Sequence, residues 1–507
     1  MKLLPLNWLF VVTVIWGATI PWLAPHPPMV DLPQHAAQIM LLKDLLLDQS
    51  PWAEYFRINW FTPYILGYGV ALPLSFLMPI TVVLKLMLSV AYIAFVWLCI
   101  KLRQSFQADP RLDWLFLISF FGFAYKWGFF TFLVASPLGL WLILLANNYS
   151  KEQSSKNAFA VLGVGLLTVM SHGLVFVFAI SVGISMLFVR VRGLRSFAKV
   201  AWPFLILISV LAAYFLFNQR FSAAMPNNLS SAIKWGFSWK RFLQPLFFMV
   251  TPVASTYAMA PLVACVSGLL CIPWLLRMQI NWRNHLSLIP FCVAALIMLI
   301  VPNYAFSTAL LYQRFSLFLL PAYAWLFISP IALSNKNGFS ENVFPVVLMM
   351  IFTWTILGIH TLRTWEFGKE TQGIDRLISK LDPGQRGLAM VLNPGSEADN
   401  NINVYAHYPS WYQAEKHGLV DFNFAWFPPQ IVRYKPEKLP AVAPGFEWNV
   451  DKFDWGKNHG ANYDYFFVRQ NKAKKLDLFS GATCPLIEIA SDGDWTIYKK
   501  RDCYLAP

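Results

Sequence analysis

The sequence predicts a polytopic α-helical membrane protein of about eleven transmembrane helices, followed by a carboxyl-terminal extracytoplasmic α+β domain. Three observations lead there. Of 507 residues, 57% are hydrophobic and only 13% charged, with 43 Phe and 22 Trp. Apolar runs near the ~20 residues that cross a bilayer recur from residue 3 to residue 362. Residues 363–507 then turn to a mixed composition with 18 Lys+Arg against 18 Asp+Glu, so the net charge of +14 belongs wholly to the membrane half. There it is spread over short loops, the pattern of membrane topology and anionic lipid contact, and it excludes a nucleic-acid-binding face.

Taken in order, 3–23 is the first span, and the many later spans favour a retained anchor over a cleaved signal peptide. An external loop follows, with Trp52, Tyr55, Phe56, Trp60 and Phe61 suited to the headgroup level. Residues 62–80 are apolar, but Pro63, Gly67, Gly69, Pro73 and Pro79 interrupt them, and unpaired backbone in lipid is costly. The segment therefore reads as a broken, interfacial or re-entrant part of the same loop, 24–80. The remaining expected spans are 81–101, 113–125, 128–147, 158–171, 174–189, 200–217, 256–276, 286–301, 315–333 and 343–362. This parity puts the amino terminus inside, the carboxyl-terminal domain outside, and basic residues in every short inside loop: Lys101, Arg103 and Arg111; Lys151 and Lys156; Arg190 to Lys199; Arg277 and Arg283; Lys336. The expected domains are thus 1–362, loop 24–80 included, and 363–507.

In the second domain, Leu388 to Leu392 and Tyr465 to Val468 read as strands. Leu486 to Ile489 and Trp495 to Tyr498 form a hairpin about Ser491-Asp492-Gly493-Asp494. Cys484 and Cys503 flank that hairpin and are candidates for a disulfide in an oxidising compartment, with two unrelated thiols as the alternative. Cys99, Cys265, Cys271 and Cys292 fall in spans as apolar fillers.

Acidic chemistry in the membrane half is concentrated. Residues 1–362 hold eight acids, and four of them, Asp31, Asp44, Asp48 and Glu54, lie in the first external loop. There Pro27-Pro28-Met29-Val30-Asp31-Leu32-Pro33-Gln34-His35 places a carboxylate and an imidazole four residues apart at a membrane surface. If a helix opens after Pro33, both face one cavity, and a placed carboxylate can take a proton from a substrate hydroxyl. His35 then tunes Asp31, hydrogen-bonds the substrate or caps that helix; Asp31 itself has the alternative of a simple N-cap. No phosphate-binding glycine loop, zinc motif or nucleophile elbow occurs.

With Asp31-Leu32-Pro33-Gln34-His35, Gly128-Phe129-Phe130-Thr131-Phe132 before Ser136-Pro137-Leu138, His172-Gly173, Gln313-Arg314-Phe315, Tyr463 to Arg469 and Trp495-Thr496-Ile497-Tyr498, the chain resembles uncharacterised bacterial members of the GT-C superfamily of integral-membrane glycosyltransferases over most of its length. The resemblance implies an inverting transfer of sugar from a polyprenyl-phosphate donor to a glycan, lipid or protein acceptor, at the outer face of the bacterial cytoplasmic membrane. It makes Asp31 the candidate base, with His35 beside it. The leaving lipid phosphate calls for cations at the same face, and Lys126, Arg314, Lys240 and Arg241 are the candidates. His172, at the apex of a short hairpin, is a candidate cavity-lining residue. Metal-dependent members carry a further acid in the second external loop. This chain has Tyr125-Lys126-Trp127 there, so no metal and no other cofactor is expected. Two other functions fit the spans: a transporter or flippase using the broken 62–80 segment, and a non-enzymatic glycan-assembly scaffold.

Overall fold

The computed structural model describes residues 4–223, 233–236, 239–249, 256–305, 308–329, 343–471 and 476–503. Among them, four helices are long and apolar enough to cross a membrane: Ile80–Phe106, Phe130–Lys151, Gly173–Arg190 and Phe344–Glu370. Leu194–Val200 and Trp202–Asn218, bent by 64°, make a fifth if taken as one broken span. Shorter apolar helices occupy Asn7–Trp22, Ile65–Leu74, Ser155–Ser171, Met259–Leu275 and His285–Ile300. The chain is a multi-pass membrane protein.

Inter-residue contacts divide it into two compact units. The first comprises Met1–Trp22, Leu86–Gln219 and Ser231–Leu362; the second is built chiefly from Leu23–Lys85 and Arg363–Pro507. The long external loop is therefore clustered with the carboxyl-terminal residues.

In the first unit, residues 158–189 form two helices. Ser155–Ser171 ends at His172, whose extended backbone starts Gly173–Arg190 and whose Nδ1 accepts from the Leu174 N–H. Both pack on Phe130–Lys151. Small residues allow that approach: a Cβ at Gly139 would stand 2.5 Å from Val175 Cγ1, and one at Gly183 2.8 Å from the Ala146 Cβ.

Two expected spans need correction. Residues 113–125 are not one helix: Trp114–Ser119 stops, and a separate turn, Phe123–Trp127, ends on Gly128 at φ +86°. A Cβ at Gly122, between them, would fall 2.7 Å from the carbonyl oxygens of Phe248 and Met249, so the chain breaks where another backbone presses on it. Among the described residues of the 315–333 span, the α-helix covers Ser316–Ala324, and Phe327–Ile328 then pairs antiparallel with Gln279–Ile280. Lys336 lies outside the described residues.

The second unit is organised by a five-stranded sheet in the order Leu486–Asp492, Trp495–Lys500, Tyr465–Arg469, Arg386–Val391, Leu419–Asp421. The first two pairings are antiparallel and the last two parallel. Between Arg386–Val391 and Leu419–Asp421 the chain crosses over through the helix Ser410–Lys416, as parallel neighbours require. The hairpin has a bulge between Glu488 and Ala490, and a Cys484–Cys503 disulfide closes its open end. The early loop adds a second small sheet, Phe56–Ile58 against Val432–Tyr434, and the helix Ile65–Leu74, which ends before Pro79 as the prolines require.

A buried charge cluster ties the same segments. His26 Nδ1 lies 3.0 Å from Asp375 Oδ1 and its Nε2 2.8 Å from Glu415 Oε1, while Tyr408 donates to Asp375 over 2.6 Å. Burial alone pushes this imidazole down, but hydrogen bonds to Asp375 and Glu415 and their charges outweigh it and raise it from 6.5 to about 9. Its contribution to stability is therefore fully present below about pH 6.5 and is lost as the pH rises through about 9. We expect the melting temperature of the purified protein to fall from pH 7 to pH 10 by the equivalent of up to roughly 3 kcal/mol, and His26→Gln to remove most of that dependence.

Candidate active site

The second unit builds one site around Asp31. The helix Leu32–Leu46 starts with Asp31 at its N-cap and Pro33 in its first turn, where proline has no hydrogen bond to lose. The Asp31 side chain accepts no capping hydrogen bond. Its carboxylate is 7% exposed and is faced by His407, whose Nε2 stands 3.5 Å from Asp31 Oδ1.

Among its buried residues this helix carries Gln34, His35 and Gln38, and each of the three has a hydrogen-bond partner. Gln34 donates to the Phe422 carbonyl over 3.1 Å and accepts from the Phe424 N–H over 3.0 Å. Gln38 accepts from the Val432 N–H over 3.1 Å. His35 Nδ1 lies 2.6 Å from the Tyr68 hydroxyl, which donates to Gln430 Oε1 over 2.8 Å. With that hydroxyl proton committed to Gln430, Nδ1 is the protonated nitrogen of His35. Burial holds the Tyr68 phenol well above its ordinary range, and the charges of Tyr64 and Asp31 add to this. His35 and Asp31 are both buried beside Tyr68, whose hydroxyl meets His35 and whose phenol feels the Asp31 charge. The other early acids also find partners late in the chain: Asp44 lies 2.8 Å from His417 Nδ1 and Glu54 3.0 Å from Lys438 Nζ.

The first unit gathers the other candidates. Lys126 sits on Phe123–Trp127, is 1% exposed, and its turn packs against Gln313–Phe315, which carries Arg314. The Arg314 guanidinium stacks 3.6 Å over the Phe129 ring and donates to the carbonyls of Leu310 and Ala309 at 3.1 and 2.9 Å. Arg241 stacks 3.8 Å over Tyr312 and donates to the Val301 carbonyl over 2.6 Å. His172 meets Phe132 edge-on at 5.2 Å, and Phe132 meets Phe315 at 5.9 Å. Arg241, Arg314 and His172 thus each lie against an aromatic ring of the first unit. The Lys240 side chain lies outside the described residues. Among the described residues, no group of three or more His, Cys, Asp or Glu could hold a metal ion.

Sequence reading missed His407, which has no motif about it and lies hundreds of residues from Asp31. Tyr68 was hidden inside an apolar segment valued only for its prolines.

No family model matches the chain, and no curated protein matches it in sequence. Solved structures do. Arabinofuranosyltransferase AftD from Mycobacteria aligns with 97% of this chain at 13% identity and a TM-score of 0.49, and the chain spans only 40% of that protein. ArnT from Cupriavidus metallidurans, solved bound to undecaprenyl phosphate, aligns over 98% of both chains at 11% identity with a TM-score of 0.55. That second likeness, end to end in both proteins, is one of fold. The chain has the fold of ArnT.

Proposed function

We propose that the protein is a membrane glycosyltransferase, moving a sugar from a polyprenyl-phosphate donor to an acceptor hydroxyl at the outer face of the bacterial cytoplasmic membrane. The observation that carries this reading is Asp31: a buried carboxylate in the loop after the first helix, free of capping duty and faced by an imidazole. The binding of undecaprenyl phosphate by the similarly folded ArnT supports the choice of donor.

In this reaction Asp31 takes the proton of the acceptor hydroxyl as that oxygen attacks the anomeric carbon. The new C–O bond forms on the face opposite the lipid phosphate, which leaves with the old bonding pair, so configuration inverts. General-base help of this kind contributes roughly 10²- to 10⁴-fold. His35, fixed by Tyr68, stands one helical turn beyond Asp31. Arg314, Lys126, Arg241 and Lys240 serve the donor phosphate; guanidinium groups suit this role through paired N–H donors on phosphate oxygens, and His172 lines the cavity. Lys126, where metal-dependent members have an acid, supplies positive charge without a metal ion. Transfer is therefore expected to continue in EDTA; abolition by chelator with recovery in Mn²⁺ or Mg²⁺ rejects this point.

The test of the function is a comparison of membranes from wild-type and deletion strains, with polyprenyl-phosphate sugars and surface glycans profiled by mass spectrometry. We expect the deletion to lose one sugar from one glycan while the lipid-linked donor or the undecorated acceptor accumulates. Unchanged profiles sink the reading.

A further inference from the structure

We infer that His407 is the positioning residue of Asp31, so that the base is set by a side chain from the carboxyl-terminal part of the chain. Its catalytic meaning rests on the glycosyltransferase reading; the pairing itself rests on geometry. His407 Nε2 is 3.5 Å from Asp31 Oδ1, and the two residues are 6% and 7% exposed. That is longer than a hydrogen bond, as is common before substrate closes a site.

The imidazole is held from several sides. Phe422 and Phe424 each meet its ring at 5.9 Å, at interplanar angles of 58° and 69°. Gln34, three residues beyond Asp31, hydrogen-bonds the backbone of both phenylalanines. The residue that docks the Asp31 helix thus also fixes the walls around His407. Phe424 meets the His35 ring as well, at 5.6 Å and nearly perpendicular, so the two imidazoles share one aromatic partition.

The chemistry follows from burial. Desolvation pushes His407 down to about 4, so it is neutral at physiological pH and carries one N–H. A carboxylate accepts only, so a close Nε2 must be the donor. A neutral donor orients the carboxylate without placing a full positive charge beside it, and an ion pair would lower the basicity that proton abstraction needs. The titratable groups about Asp31 are His35 on its own helix, Tyr68 on Ile65–Leu74, which feels the Asp31 charge, and His407. His35 has its Nδ1 engaged with Tyr68, while His407 presents Nε2 to the Asp31 carboxylate.

The test uses the full chain in lipid nanodiscs, labelled with ¹⁵N-histidine, together with deletion strains complemented by variants. His407→Gln removes one imidazole signal and so assigns it. We expect that signal to report a neutral ring protonated at Nε2 at pH 7 and to shift in Asp31→Asn. A signal indifferent to Asp31→Asn, or a ring charged at pH 7, overturns the pairing. In the strains, His407→Leu is expected to lower glycan addition about tenfold or more, and His407→Gln, which keeps an N–H donor, to recover a large part. Full complementation by His407→Leu, or equal loss in both variants, overturns the positioning role. If the deletion itself leaves every glycan unchanged, the transferase reading falls, and the pairing still stands or falls on the ¹⁵N signal.

Discussion

Asp31→Asn is expected to reduce sugar transfer by roughly 10²- to 10⁴-fold, the contribution of a placed general base, while leaving the protein folded. Asparagine has almost the same shape, and its amide oxygen can still face His407. The Asp31 side chain caps nothing, so the helix Leu32–Leu46 keeps its start, which Leu32 and Pro33 supply. The isosteric change keeps the volume of the site, so the variant should remain folded, with a destabilisation of no more than about 1–3 kcal/mol. What is lost is basicity, because an amide cannot take the hydroxyl proton. Expression, melting temperature and glycan profile of the variant, set beside wild type and deletion, decide the matter. A variant that complements the deletion fully shows that Asp31 is not the base and brings the transporter and scaffold functions forward.

Arg386→Met is expected to destabilise the second unit by about 3–5 kcal/mol, because it strands a buried charge. Asp421 has 0% exposure and accepts from four donors: Arg386 Nε and Nη2 at 3.2 and 2.7 Å, the Tyr434 hydroxyl at 2.8 Å and the Tyr463 hydroxyl at 3.2 Å. Removing the guanidinium leaves a carboxylate with hydroxyl donors alone and no countercharge. The double variant Arg386→Met with Asp421→Leu should recover much of the loss, since a buried pair replaced whole by apolar groups is often neutral. Thermal unfolding of the two variants measures this, and equal melting temperatures for the single variant and wild type would contradict it. Activity is expected to fall with stability, because Phe422, next in sequence to Asp421, carries the carbonyl that Gln34 holds.

Composition and punctuation made the membrane class, the break at 62–80, the hairpin and its cysteine pair legible, since each leaves a local mark: an apolar run, a proline, an alternating strand. Gly122 leaves none. After Asp113 the stretch to residue 125 is an almost unbroken apolar run, and the backbone of Phe248 and Met249 that presses on it arrives from far along the chain. Asp31 and His35 could be paired from spacing because one helical turn links them. His407 could not, because its place depends on Gln34 reaching the backbone of Phe422 and Phe424. The three-residue strand Phe56–Ile58 is too short to have a period, and so the membership of the early loop in the second unit was invisible.

That strand has a consequence in time. Phe56 pairs with Tyr434 and Ile58 with Val432, so the early loop must wait for nearly four hundred further residues before its partner exists. At a ribosomal pace of about 5–20 residues per second, the interval is on the order of twenty seconds to more than a minute. Throughout it, Gln34 and Gln38, both buried in the finished protein, lack the late-chain backbone groups they hydrogen-bond. A nascent chain in this state is open to proteases and holdases, and any truncation before Val432 would leave it so permanently.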